Sequence, residues 1–326
     1  MVFDAIRRLF IDPGVSRTAA AAISSPTRKS GRVAASAGMI ARDHLLFGNA
    51  LAYARLDPES VRRLPEYCRV AEVATLLRTF RVDGTHFVRL GGDADGAYVM
   101  LDSLRPPAVA AGYSFGVGGE VSWDVAVAKR GIDLVLLDHT VDGPPRPVPR
   151  GRFVKQGIRG ARPVSGCVTL AEAIAADGHG GRTDLVLKLD VEGAEWAVLD
   201  EVSSGTLGQF VQIVIEFHGL HRVSQRDGHA QVARCLQKLL ATHAPVHVHG
   251  NNAHLPMWIG DLVLPDVLEV TFARRADHAG RLVPRDESFP TDLDRPNIPH
   301  RPDIFLGWTF TGGVPHASAA SFGSAG

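Results

Sequence analysis

Cysteine is scarce in this sequence: three residues in 326, Cys68, Cys167 and Cys235, stand far apart with no C-x-x-C pair. That excludes a disulfide framework and a cysteine-built zinc site, and leaves small buried thiols as the expectation. An excess of charge of either sign is also missing. Lys plus Arg and Asp plus Glu both number 35, whereas a chain that grips nucleic acid carries a basic surplus, so no nucleic-acid partner is expected. No run reaches the ~18–20 apolar residues of a membrane helix. The opening MVFDAIRRLF places its arginines after apolar residues and has no continuous apolar core of a secretory signal, so the cytoplasm is the expected location. Internal repeats are absent.

What is present is ample apolar material, 45% of residues, in a length that suits one large α/β domain with extra segments. Residues 1–45 read as an accessory segment, Ala-, Ser- and Arg-rich from Ser16 to Gly38 and partly disordered. The main domain is expected over 46–310, with a Gly/Ser/Ala-rich disordered tail over 311–326. From Asp43 to Phe80 apolar residues recur at helical spacing, and Asp57-Pro58-Glu59 supplies a helix start. Phe87–Leu90 and Tyr98–Leu101 flank a Gly91–Gly96 turn as a hairpin would.

From Ala110 onward strand and helix alternate. Strands are expected at Gly112–Phe115, Leu134–Asp138, Arg152–Gln156, Leu185–Asp190, Gln212–Phe217, Val246–His249 and Val267–Phe272. Helices fall near Val121–Arg130, Leu170–Asp177, Ala194–Val202 and Gln225–His243. Thr169–Glu172 is a capping box, and Gly131 follows a helix that ends in Lys129-Arg130. Apolar strands such as LVLL and LVLKL suit burial on both faces. The pattern predicts a doubly wound, mostly parallel sheet with its core at about 110–275, closed by antiparallel strands and a proline-rich wrap over 284–304.

Tyr113-Ser114-Phe115-Gly116-Val117-Gly118-Gly119-Glu120 joins the first strand of this array to its first helix. Glycines there permit a tight turn and close approach by a ligand, and the helix start offers free N–H groups. Asp138 ends the next strand, roughly twenty residues on, where a carboxylate can accept from the hydroxyls of an adenosine ribose. The turn and the acid together indicate a nucleoside cofactor. NAD binding shares these features, but Ser122 occupies the place of the third glycine that a pyrophosphate prefers.

Asp184-Leu185-Val186-Leu187-Lys188-Leu189-Asp190-Val191-Glu192-Gly193-Ala194-Glu195 resembles the K-x-D-x-E-G-x-E signature of FkbM-type methyltransferases, and the likeness runs from about Tyr113 to Leu220. The glycine turn departs from the commoner D-x-G-A-N form, with Ser114 where an acid often stands. The resemblance implies a seven-stranded class I methyltransferase sheet, with an N-terminal helical segment, that holds S-adenosylmethionine across its strand ends. It also implies transfer of the methyl group to a hydroxyl of a small molecule, sugar or glycan. Cofactor contacts are expected from Ser114, Gly116, Gly118, Gly119, Glu120, Asp138, Gln156 and Asp190, with Lys155–Ile158 as the adenine-side loop.

Asp190 and Glu216 end neighbouring strands, Glu216-Phe217-His218 adds an imidazole, and His247-Val248-His249 adds two on one face of a strand. Two readings stay open. Asp190, Glu216, His218 and His249 bind a divalent ion such as Mg, which lowers the acceptor's pKa; or His218 is a general base set in place by Asp190 and Glu216. Trp196, Phe217 and Trp258 are candidate pocket aromatics. The rival functions are a nicotinamide-dependent oxidoreductase, for which a catalytic Tyr/Lys pair is not found, and a binding or scaffold protein that keeps the fold without catalysis.

Overall fold

The computed structural model describes residues 56–312; the expectations for residues 1–45, the helical span before 56 and the tail from 313 onward lie outside them. The chain begins with α1 (Pro58–Arg62), α2 (Pro65–Leu76), β1 (Phe80–Val82) and the pair β2 (Phe87–Leu90) and β3 (Tyr98–Leu101). It continues through β4 (Ala111–Phe115), α3 (Ser122–Ala128), β5 (Asp133–Leu137), β6 (Gly151–Val154), β7 (Gly157–Ile158), β8 (Cys167–Val168) and α4 (Leu170–Ala176). Then come β9 (Leu185–Leu189), α5 (Glu195–Glu201), α6 (Ser204–Leu207), β10 (Phe210–His218) and α7 (Arg226–Leu240). The last elements are β11 (His243–Gly250), β12 (Met257–Ile259), β13 (Leu262–Leu264), β14 (Val267–Arg274) and β15 (Leu282–Pro284).

Seven strands form one sheet in the order β11-β14-β10-β9-β4-β5-β6. The run from β10 to β6 is parallel. β14 is antiparallel to both its neighbours. All seven correspond to strands expected from the sequence, and the arrangement is consistent with the α/β class I fold. Each apolar strand reverses direction only through a crossover, so every parallel pair is separated in sequence by a helix or loop that returns over a face.

The helical stretch before β1 is split into α1 and α2. Asp57 caps α1, its carboxylate accepting from the Ser60 N–H at 2.9 Å, but Leu64 takes an extended conformation before Pro65. Proline has no N–H and disfavours helical geometry in the residue before it, so the helix stops and restarts. The Thr169–Glu172 capping box forms as expected. Small pairs the patterning did not reveal, β1 with β15, β7 with β8 and β12 with β13, stitch loops together. The 284–304 segment is irregular beyond Pro284 and lies over β11 and β14 rather than extending the sheet.

Strand alternation sorts the sheet into two unlike faces. One is apolar: Tyr113, Phe115, Leu187, Leu189, Ile213, Ile215, Phe217, Val270 and Phe272 meet residues of α2, α4, α5 and α7 in the main core. The other is covered by α3 and the β2–β3 hairpin, with Tyr98, Met100 and Trp123 over Leu134, Leu136, Val186 and Val214. Toward the carboxyl ends of the strands this second face turns polar. Lys188, Glu216, Glu269, His247 and His249 all point from it and are buried. Glu216 of β10 stands opposite Glu269 of β14, which stands opposite His249 of β11. The fold thereby concentrates its buried charge at the edge where open α/β sheets take ligands.

Candidate active site

The β4–α3 turn is built around Gly116. Its φ is +85°, and a Cβ there would fall 1.6 Å from the Asp190 carbonyl oxygen, so only glycine lets β4 leave the sheet beside the end of β9. Beneath the turn, the Lys188 ammonium donates to the Gly116 carbonyl at 2.6 Å and lies 3.5 Å from Asp190 Oδ2. Burial works against the ammonium, but the Asp190 and Asp124 carboxyls outweigh it and hold Lys188 charged. From the other side the N–H groups of Val117 and Gly118 both donate to Asp138 Oδ2 at 3.0 Å. Asp138 Oδ1 accepts from the Thr140 N–H and hydroxyl at 2.7 Å. These bonds outweigh burial and hold the Asp138 carboxyl below the usual range.

An open cleft of about 370 Å³ results, at the carboxyl ends of β4, β5 and β9. That is within the range of small-molecule sites. Gly116, Gly118, Gly119, Glu120, Asp138 and Asp190 line it, with Gly157 and Ile158 at one end and Asp95 and Gly96 of the hairpin turn at the other. The hairpin turn is docked there by Ser122, whose hydroxyl accepts from Gly92 N–H at 3.0 Å and donates to the Gly96 carbonyl at 3.2 Å.

Two expected cofactor contacts fall elsewhere. Ser114 is fully buried in mid-strand, because alternation from Gly116 puts it below the turn, level with Lys188. Gln156 is exposed and outside the cleft, while its neighbours Gly157 and Ile158 line it. The aromatics are also displaced. Trp196 and Phe217 are stacked at 4.7 Å in the main core, since Phe217 alternates with Glu216 and His218 and so faces the helices. Trp258 sits in β12 and packs against the same core.

Each member of the K-x-D-x-E-G-x-E string has a structural task. Lys188 and Asp190 are described above. Gly193 has φ +103°, and Glu195, wholly buried, folds back to accept from the Val191 and Gly193 N–H groups at 2.9 and 3.2 Å. The same Glu195 oxygen lies 3.0 Å from His218 Nδ1. Nδ1 also faces the Glu216 carbonyl at 3.1 Å. Both partners are acceptors, so Nδ1 carries the proton and the tautomer is set. Nε2 then faces Glu192, which lines the cleft, at 3.5 Å and Glu216 at 3.6 Å; His218 and Glu216 themselves do not line it. Burial disfavours the imidazolium, but Glu195, Asp190 and Glu192 raise the pKa above its ordinary value.

Asp190 and Glu216 meet as the sequence anticipated, and they titrate apart. Burial and the Asp190 and Glu269 charges push Glu216 well above the usual carboxyl range. Burial also penalises Asp190, yet the Lys188 ammonium and a hydrogen bond from Glu216 hold it below that range. Glu216 Oε1 accepts from Asn251 Nδ2 at 2.7 Å. Like charges at such spacing cannot both ionise in a dry site. Tyr98 donates to Asp190 Oδ2 at 3.0 Å.

His249, expected among the metal ligands, faces two carboxylates outside the cleft. Its Nδ1 is 3.1 Å from Glu269 and its Nε2 is 3.1 Å from Asp303. Burial disfavours its charged form, but the carboxylates of Glu269 and Asp303 outweigh that and raise its pKa to about 10, so both ring nitrogens are engaged within the fold. Oxygen and nitrogen atoms of Asp190, Glu192 and His218 do lie within 4.8 Å of one another, as do those of Asp95, Glu216 and Glu269. Either trio offers ligand types suited to a hard divalent cation.

Glu269 and Asn297 were not singled out from the sequence, and Tyr98, Asp95 and Asn251 only as parts of the family-like stretches Gly91–Tyr98 and His247–Asn252. Glu269 carried a signal of its own: it is the one acid in the otherwise apolar-and-Thr strand VLEVTFA. Asn297 reaches the site through the wrap, by a contact that no local pattern encodes.

A glycine turn held by an acid from the next strand, at the carboxyl edge of a seven-stranded, mostly parallel sheet, is consistent with the α/β class I fold. More specifically, residues 143–241 match the model of the methyltransferase FkbM domain, in agreement with the resemblance read from the signature. The match runs from the loop before β6 through α7. It includes Lys188–Glu195, Glu216 and His218, and begins after the glycine turn. No curated protein matches the chain significantly. Among the described residues no helix is long and apolar enough to cross a membrane.

Proposed function

We propose that this chain transfers the methyl group of S-adenosylmethionine to a hydroxyl oxygen of a small molecule, sugar or glycan. The observation that carries the reading is the pairing of Gly116 and Asp138 around one cleft. Gly116 brings the chain against Asp190, and Asp138 draws the Val117 and Gly118 amides toward the end of β5. Gly118 and Gly119, which leave the space above them open, would hold the cofactor's backbone-facing side. Asp138 would offer its carboxylate to the ribose hydroxyls in exchange for the Thr140 bonds, and Ile158 would provide an apolar surface for the adenine.

The transfer is an in-line displacement. A lone pair of the acceptor oxygen forms the C–O bond as the C–S bond breaks, and the sulfonium leaves as a neutral thioether. Alignment supplies much of the acceleration. The hydroxyl proton passes to His218 Nε2, since Nδ1 is committed to Glu195. Asp190 and Glu192 then stabilise the imidazolium. A second reading, in which a divalent cation on Asp190, Glu192 and His218 lowers the acceptor's pKa, is supported by the spacing of those three groups.

Calorimetric titration of S-adenosylmethionine, S-adenosylhomocysteine and NAD(H) tests the cofactor. Micromolar binding of the adenosyl pair alone, lost in Asp138→Ala, is the expected result. Binding of NAD(H) in their place would move the chain to the oxidoreductases. Binding of the adenosyl pair without turnover on any hydroxyl acceptor would favour a scaffold.

A further inference from the structure

A larger cleft, of about 650 Å³, opens between the β1–β2 turn and the 285–293 segment. It shares no lining residue with the cleft at the glycine turn. At its wall lies Arg285, 4% exposed. The backbone on both sides of this residue is tied down: its N–H donates to Thr79 at 2.9 Å, and its carbonyl accepts from Gly312 at 2.8 Å. The guanidinium carbon sits over the Phe87 ring at 4.5 Å and the Phe289 ring at 5.3 Å. These contacts occupy the flat faces of the cation and fix its orientation.

The in-plane donors are another matter. The guanidinium makes no hydrogen bond to any described residue, and its Nε is buried without a partner. Its one ion pair is a long contact of 3.7 Å from Nη1 to Glu287, a side chain 65% exposed. A buried guanidinium usually has its fork of donors filled, because leaving them unmet carries the uncompensated cost of desolvation. The same two rings hold His247: Phe87 at 6.1 Å and Phe289 at 5.3 Å between ring centres. His247 Nε2 is committed to Asp294 at 2.8 Å, and its Nδ1 is also buried with no partner.

We propose that this cleft is a second ligand site, which takes a small molecule by its carboxylate or phosphate group on the Arg285 guanidinium. The planar fork matches two oxygens of either group, and the aromatic clamp holds it ready without reorganisation. A hydroxyl next to the anionic group meets His247 Nδ1. Glu287 sits at the mouth as a competing carboxylate that the ligand displaces.

Calorimetry with inorganic phosphate and with malonate, run separately, tests the site and distinguishes the two oxyanions. At least one is expected to bind with one-site stoichiometry, unchanged by saturating S-adenosylhomocysteine. Arg285→Gln should weaken binding at least tenfold, and Glu287→Gln, on the exposed rim, should tighten it at least twofold. If Arg285→Gln does not fold, Arg285→Lys replaces it, since it keeps the charge and loses the fork. Failure of both anions to bind the native protein, equal binding by the Arg285 variant, no tightening in Glu287→Gln, or competition by S-adenosylhomocysteine would each overturn the proposal.

Discussion

Gly116 and Asp190 touch so closely that a single added carbon on the first would lie 1.6 Å from the carbonyl oxygen of the second. Gly119, three residues on, has nothing within 4 Å of the same position. The two glycines therefore answer alanine substitution differently. Gly116→Ala must push β4 and β9 apart and adopt a strained φ, at a cost of about 2–4 kcal/mol. Gly119→Ala meets only the space of the cleft, so its melting temperature should stay within about 2 °C of the native protein's, while S-adenosylhomocysteine binds at least tenfold more weakly. Thermal unfolding and calorimetry on the pair separate these effects. Native-like binding by Gly119→Ala would remove the cofactor from this turn.

His218 is held by Glu195 at Nδ1 and turns Nε2 toward Glu192, which lines the cleft. Glutamine in its place retains a donor near Glu195 but cannot take a proton. His218→Gln should lower kcat by about 10²–10⁴, the usual worth of a general base, with cofactor affinity within threefold of native. A KM-only effect would make the histidine a substrate contact instead.

Chelation separates base from metal. With His218 as the base, dialysis against EDTA should leave the rate within twofold. Loss of activity that Mg restores would transfer the role to the trio Asp190, Glu192 and His218, whose atoms lie within 4.8 Å of one another.

The sheet was legible in the sequence because its signal is local. All seven strands follow from apolar runs bounded by Gly, Pro and Asp, and alternation alone put His247 and His249 on one face. The ends of β9 and β10 were legible for the same reason, which is why Asp190, Glu216 and His218 were found. What alternation cannot give is the partner across a gap. His249 reads as a free ligand until Asp303, 54 residues away, is seen on its Nε2. Ser114 reads as a turn residue until its register with Lys188 shows it below the turn. Asp138 reads as a free ribose acceptor, yet it already receives four hydrogen bonds from Val117, Gly118 and Thr140.

Lys188 joins the fold to the site. It supports Gly116 and neutralises Asp190, both from a position 2% exposed. Lys188→Met fills the same space but leaves a carboxylate buried without its cation, which costs about 3–5 kcal/mol when one partner of such a pair is removed. Urea unfolding should show that loss at neutral pH. Part of it should return toward acid pH, where Asp190 takes up a proton. A variant as stable as the native protein would mean that Tyr98 and Glu216 suffice to hold Asp190.

His243 gives the fold a pH dependence separate from the site. It is fully buried at the start of β11. Its Nε2 donates to the Phe210 carbonyl at 2.9 Å, and its Nδ1 lies 2.8 Å from the Thr242 hydroxyl, which is also 3.3 Å from the Leu239 carbonyl. Burial disfavours the charged ring and depresses the pKa from 6.5 to about 4. Between those values the unfolded chain binds a proton that the folded chain refuses. Stability contributed by the neutral ring is thus fully present above pH 6.5, falls as the pH drops through 6.5, and is gone near 4. The span corresponds to about 3 kcal/mol at most. His243→Gln keeps a donor for Phe210 and does not titrate. Urea unfolding at intervals from pH 7 to 4.5 should show a shallower loss for the variant than for the native protein, the two curves converging toward the acid end. Parallel curves would mean that His243 stays neutral in neither state's favour, and that the acid sensitivity of the fold comes from its carboxylates.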